Sequence, residues 1–155
     1  MKTKTRRAVT TVLTVFVCVM NRSTYADSKD DCVKVEARFM QDSSSGRNLG
    51  TLTNAGILNG RTDIVFNPAA FPTPDPTTVS FIGDLSVTTH RGALKTHDVY
   101  LFDFSTGVGT GIHRIDPVAS TGVFAGATGV LYDNSKSTGP VTIQGTFTGA
   151  ICFGN

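Results

Sequence analysis

The chain has 155 residues, one domain's worth, with 14 basic and 12 acidic side chains, 16 glycines and no tryptophan. Five of the basic residues (Lys2, Lys4, Arg6, Arg7 and Arg22) precede Asp27 and no acid does, so the remainder carries nine basic against twelve acidic groups. A net acidic domain excludes a nucleic-acid binder held by phosphate neutralisation, and a composition rich in glycine and threonine is poor material for helices.

The first 26 residues have three parts. Met1 to Arg7 is basic, Ala8 to Met20 is mostly apolar, and Asn21 to Ala26 ends in Thr24-Tyr25-Ala26. That is the form of a cleaved secretory signal peptide, with a single domain from 27 to 155. The apolar run is shorter than the roughly 20 residues a membrane span takes. No second run of membrane length follows, so no membrane association is expected after cleavage. Cys18 leaves with the leader, and Cys32 and Cys152 remain near the two ends. An even count in an exported chain predicts a disulfide between them, and a secreted or periplasmic location.

Val33, Val35, Ala37 and Phe39 alternate with Lys34, Glu36, Arg38 and Met40, the period of a half-buried strand. Asp42 to Gly50 reads as a polar loop, and Gly60 to Phe66 as a weaker strand. Asn67 to Pro76 holds four prolines and is excluded as a central strand. Thr77 to Thr89 alternates again, with Val79, Phe81, Leu85 and Val87 on one face. Leu94 to Phe104 follows with less clean faces. Ser-Thr-Gly recurs at residues 105–107, 120–122 and 137–139, between further strands expected at Val108 to Asp116, Val123 to Tyr132 and Val141 to Phe153. Seven or eight short strands predict a β-barrel or sandwich. A bridge between first and last strands favours closure.

Motifs for familiar chemistry are missing: there is no G-x-S-x-G, H-E-x-x-H or P-loop. Gly107-Val-Gly-Thr-Gly opens a strand, whereas a phosphate cradle needs a helix N-terminus. His90, His97 and His113 lack metal-ligand spacing and read as surface or turn residues, so no metal site is expected. Glu36, Arg38 and Asp42 share one strand face and form a candidate polar site. As a bare pattern they fit a solvated surface pair better. Asp84 and Arg114 are lone charges on strand-like runs. Phe39, Phe102, Phe104, Phe124 and Phe147 are candidates to line or fill a bore.

Ser120 to Tyr132 (STGVFAGATGVLY) is similar to the G-[ST]-G-x-[FL]-x-x-[AV]-x-G signature of the β-barrels that include allene oxide cyclases and plant dirigent proteins. Arg38 to Asp42 (RFMQD) resembles the end of the first dirigent strand, with Gln41 in place of its histidine. The resemblance implies an all-β, eight-stranded antiparallel closed barrel, often trimeric, that binds a small hydrophobic molecule in its bore. It implies cofactor-free control of a cyclisation or coupling, by holding the reactant in one conformation. Asp42 would then match the dirigent aspartate and Glu36 the cyclase glutamate, as catalytic groups. Arg38, Phe39, Asp84, Phe102, Phe104, Arg114 and Phe124 would contact the ligand. The carry-over wants Glu36 and Asp42 inside, whereas apolar alternation puts Val35 and Phe39 there. A lipocalin-like carrier and a barrel filled with side chains are the competing readings. A void containing buried charges favours chemistry, a purely apolar void favours the carrier, and no void favours the filled barrel.

Overall fold

A computed structural model describes residues 31–154; the expected signal peptide and Cys18 lie outside them. Eight strands form: β1 (Asp31–Asp42), β2 (Asn48–Thr53), β3 (Gly60–Pro72), β4 (Thr78–Thr89), β5 (Gly92–Asp103), β6 (Val108–Ile115), β7 (Thr128–Ser137) and β8 (Thr142–Phe153). Each pairs antiparallel with the next, and β8 returns to β1, so the sheet closes into a barrel. Cys32 lies directly opposite Cys152 in that last pairing, and the two form the expected disulfide. Closure leaves no long sheet edge at the chain ends.

Period-two alternation decides which side chains enter the bore. On β1 these are Val35, Ala37, Phe39 and Gln41, all buried, while Glu36, Arg38 and Asp42 point outward and are exposed. The apolar pattern therefore prevails on the first strand. Burying Glu36 and Asp42 would have exposed Val35 and Phe39 and placed two carboxylates in a low dielectric.

Three segments differ from the sequence reading. β2 falls inside the expected polar loop and its far side; its pattern is inverted, with Asn48 buried and Leu49 exposed. The expected strand at Val123 begins instead at Thr128, because Gly122–Phe124 forms a single 3-10 turn. The proline-rich segment does extend β3, to Pro72, past an irregularity between Phe66 and Ala70. It is not central there: β2 pairs only with Gly60–Ile64, so Asn67–Pro72 pairs with β4 alone. Gly107 and Gly122, from two of the three Ser-Thr-Gly sites, take φ of 68° and 63°, which a side chain would oppose.

The two ends of the barrel are built differently. At the end where β1 begins, the Gly56–Leu58 turn and the Gly122–Phe124 turn fold across the opening, and Leu58 and Phe124 have no exposed surface. The β6–β7 connection also hydrogen-bonds along the start of β5, with Thr121 N donating to Ala93 O and Ser120 Oγ accepting from Lys95 N. Val35, Val87, Leu94, Ile115, Leu131 and Ile151 pack there as an apolar plug. The opposite end, ringed by the β1–β2, β5–β6 and β7–β8 turns, stays open.

Candidate functional site

A cavity of about 380 Å³ runs from the open end into the bore. Its wall is aromatic: Phe39, Phe66, Phe81, Tyr100, Phe102, Phe104 and Phe147 line it, along with Ile64 and Ile143. Phe66 stands edge-on to Tyr100 at 5.2 Å between centroids, and Phe39 tilts on Phe147 at 5.0 Å. β6 presents glycine twice, and neighbouring side chains lie over both. A Cβ on Gly109 would lie 2.8 Å from the Phe102 ring and from Ser135 Oγ. One on Gly111 would press on the Asp133 carboxylate and lie 2.8 Å from the Tyr100 ring. The Gly107-Val-Gly-Thr-Gly run thus supplies room for those side chains inside a barrel.

Below the aromatic wall lies a charged network that the sequence reading did not find. The register sets Asp98 of β5 opposite His113 of β6, and Tyr100 opposite Gly111. Asp133 of β7 faces Gly111 from the other side. His113 has no exposed surface, and Asp98 and Asp133 are 2% and 3% exposed. Its Nδ1 lies 3.1 Å from Asp98 Oδ1 and its Nε2 lies 2.8 Å from Asp133 Oδ2. Tyr100 donates its hydroxyl to Asp98 Oδ2 at 2.9 Å, and Thr96 donates to Asp98 Oδ1 at 2.5 Å. Nδ1 also lies 3.3 Å from the Tyr100 hydroxyl, and donation from both nitrogens makes the ring an imidazolium. Burial opposes that charge, but the hydrogen bonds to Asp133 and Asp98 and their charges outweigh it and raise the His113 pKa. Burial, then the neighbouring Asp98, pushes the Tyr100 hydroxyl far up, so it stays protonated as a donor. Among the described residues no buried side-chain nitrogen or oxygen lacks a partner.

His113 is therefore a core residue, not a surface or turn one. His90 and His97 are exposed; His97 sits on the outer face between Asp84 (2.7 Å) and Asp116 (3.2 Å), and the Asp84 hydrogen bond is the main cause of its raised pKa. No group of metal-ligating side chains among the described residues is arranged to hold an ion. Both imidazole nitrogens of His113 are already engaged by the carboxylates on either side.

The residues singled out in the sequence separate into three places. Phe39, Phe102 and Phe104 line the cavity. Phe124 is fully buried in the plug at the closed end, away from it. Glu36, Arg38, Asp42, Asp84 and Arg114 are on the outer surface. Asp42 there accepts from Ser44 N at 2.7 Å, and hydrogen bonding from Ser44 holds its carboxyl below the usual range. Among the described residues, the carboxylate that lines the cavity is Asp133 on β7. Proton transfer to or from a molecule in the cavity has that carboxylate within reach, with the imidazolium behind it to balance charge.

Compared with protein-family models and with curated proteins, the sequence matches none.

Proposed function

We propose that this is an exported barrel that binds a small hydrophobic molecule in its bore and steers its cyclisation or coupling without a cofactor. The observation that carries this reading is the pairing of an open aromatic cavity with a buried carboxylate–imidazolium–carboxylate network at its floor. An apolar wall selects and folds the molecule by shape, and such pre-organisation is worth several kcal/mol of a barrier, about 7–11 at its limit. Asp133 is the group positioned to guide a proton or a developing positive charge. A cyclisation needs no atoms added or removed, so shape and one proton relay suffice. The resemblance to the allene oxide cyclase and dirigent barrels supports the same reading, with Asp133 in place of the first-strand carboxylates. The leader pattern and the disulfide support export.

The resemblance also suggests a homotrimer. Outward Ile82, Val99, Ile112 and Tyr132 lie side by side across β4 to β7, each 44–52% exposed, and form an apolar row that copies of the chain would cover.

Native mass spectrometry of the protein purified from an exporting host, followed by denaturing extraction, tests the binding reading. One apolar molecule per chain is expected, and feeding that molecule's precursor to the protein should change the stereochemical ratio of the product. An unchanged ratio with a retained ligand would favour the carrier; an empty barrel at every expression condition would favour a filled structural module.

A further inference from the structure

Deep in the bore two carboxyl groups, Asp98 and Asp133, flank a single imidazole, His113. Among the described residues no lysine or arginine lines the cavity. Lys95, the basic residue on β5, points outward and donates its ammonium to Ser86 Oγ at 2.6 Å. A carboxylate in a low dielectric is stabilised by a paired cation, so a cation entering the cavity finds a partner here. The open position is defined at atomic level. Asp133 Oδ2 is taken by His113, while no described residue donates to Oδ1. Since no fully buried side-chain oxygen lacks a partner, Oδ1 is open to the cavity. Around it stand the rings of Tyr100, Phe39, Phe66 and Phe147, whose negative faces attract cations.

We infer that the molecule taken into this cavity is an organic cation, an aromatic or aliphatic amine whose protonated nitrogen sits on Asp133 while its apolar body fills the ring of phenylalanines. This rests on the reading of the bore as a ligand site and names the ligand's chemical class. It also excludes one: an apolar carboxylate would bring a second negative charge against Asp133.

Three indole probes of one skeleton separate the possibilities: tryptamine (cationic), tryptophol (neutral) and indole propionate (anionic). The chain has no tryptophan, so indole emission reports the probe alone. Fluorescence titration of the full secreted protein at neutral pH should find tryptamine bound about tenfold more tightly than tryptophol, the usual gain of a charge-assisted over a neutral hydrogen bond. Indole propionate should be the weakest of the three. Asp133→Asn keeps an acceptor for His113 and should bring tryptamine to the level of tryptophol. Ser135→Lys, which places an ammonium in the cavity wall, should lose the tryptamine preference and improve indole propionate; it decides the matter should Asp133→Asn fail to fold. Tryptamine binding no tighter than tryptophol, or a preference that survives Asp133→Asn, would overturn the cation while leaving the ligand site standing. No binding of any probe, with no molecule co-purifying, would overturn both.

Discussion

Replacing His113 by leucine tests the buried network most directly. The imidazole is wholly buried, with carboxylate oxygens 3.1 and 2.8 Å from its nitrogens. Leucine keeps an apolar body between the Phe147 and Tyr100 rings, whose centroids lie 4.7 and 5.1 Å from the imidazole. Packing change alone would then cost about 1 kcal/mol. What disappears is the cation between two buried carboxylates, and removing one partner of such a pair costs about 3–5 kcal/mol. In a domain of this length that is a fall in Tm of about 10–20 °C. The pH dependence isolates the cause. In the native protein burial disfavours the imidazolium, the bonds to Asp133 and Asp98 more than restore it, and the folded pKa lies above the unfolded one. The contribution of His113 is therefore complete below the unfolded value of about 6.5 and fades as pH rises through the folded value. The variant lacks that contribution at every pH, so its deficit should be full at pH 6 and smaller at pH 9. Urea unfolding followed by circular dichroism at both pH values measures it, and adding Asp133→Asn should recover part of the loss at pH 6. A deficit below about 1 kcal/mol at pH 6, or one that does not change with pH, would refute the imidazolium network.

Four further outcomes are expected. Cys32→Ser opens a covalent loop between residues 120 apart in sequence, worth about 4.9 kcal/mol in the chain-entropy treatment, and an unchanged urea midpoint would show that barrel closure does not depend on the bridge. Gly111→Ala drives a methyl into the Asp133 carboxylate and the Tyr100 ring; a cost of about 1–3 kcal/mol is expected, with loss of any co-purifying molecule on native mass spectrometry. Ile112→Lys interrupts the outward apolar row and should convert a trimer on light scattering into a monomer, whereas a monomeric wild type would remove the trimer itself. Glu36→Ala and Asp42→Ala, both on the outer face, should change stability by no more than about 0.5 kcal/mol and leave probe binding intact; loss of binding in either would return the first-strand carboxylates to the site.

Much of the architecture was legible because one-sided burial writes a period of two into the chain. Val35, Ala37 and Phe39 announced β1, and Leu85 and Val87 announced β4. The cysteines announced which strands meet. β2 was not legible: it is six residues long, with a buried asparagine and an exposed leucine, so nothing separated it from the loop before it. The site was hidden for a related reason. On β5 and β6 both faces carry apolar side chains: Leu94, Tyr100 and Ile115 are inside with Thr96, Asp98 and His113, while Val99, Leu101 and Ile112 are half-exposed outside. Apolar pattern alone does not decide which way those strands face. Asp98 and His113 lie 15 positions apart, and only the β5–β6 register makes them partners. Asp133 joins through the β6–β7 register, which depends in turn on where the Gly122–Phe124 turn ends. The three glycines of the 107–111 run did carry a signal, small side chains at strand spacing, but a nucleotide loop was the comparison that came with it.

The polar residues on that inner face also bear on what the barrel is for. The sealed end shows that this chain can fill a bore with leucine, isoleucine and phenylalanine and leave no gap around Phe124 and Leu58. A barrel that only had to stand would continue that packing upward, since replacing a buried ion network by apolar side chains of like volume is neutral or stabilising. Instead, a cavity opens above a carboxylate, an imidazole and a second carboxylate, with Tyr100 and Asp133 lying over Gly111. Void and charge meet at one depth, with Asp133 at the boundary between them. The stability given up there is offset by the plug below and by the bridge outside. A local departure from good packing, backed by reinforcement elsewhere, is the pattern expected of a working site.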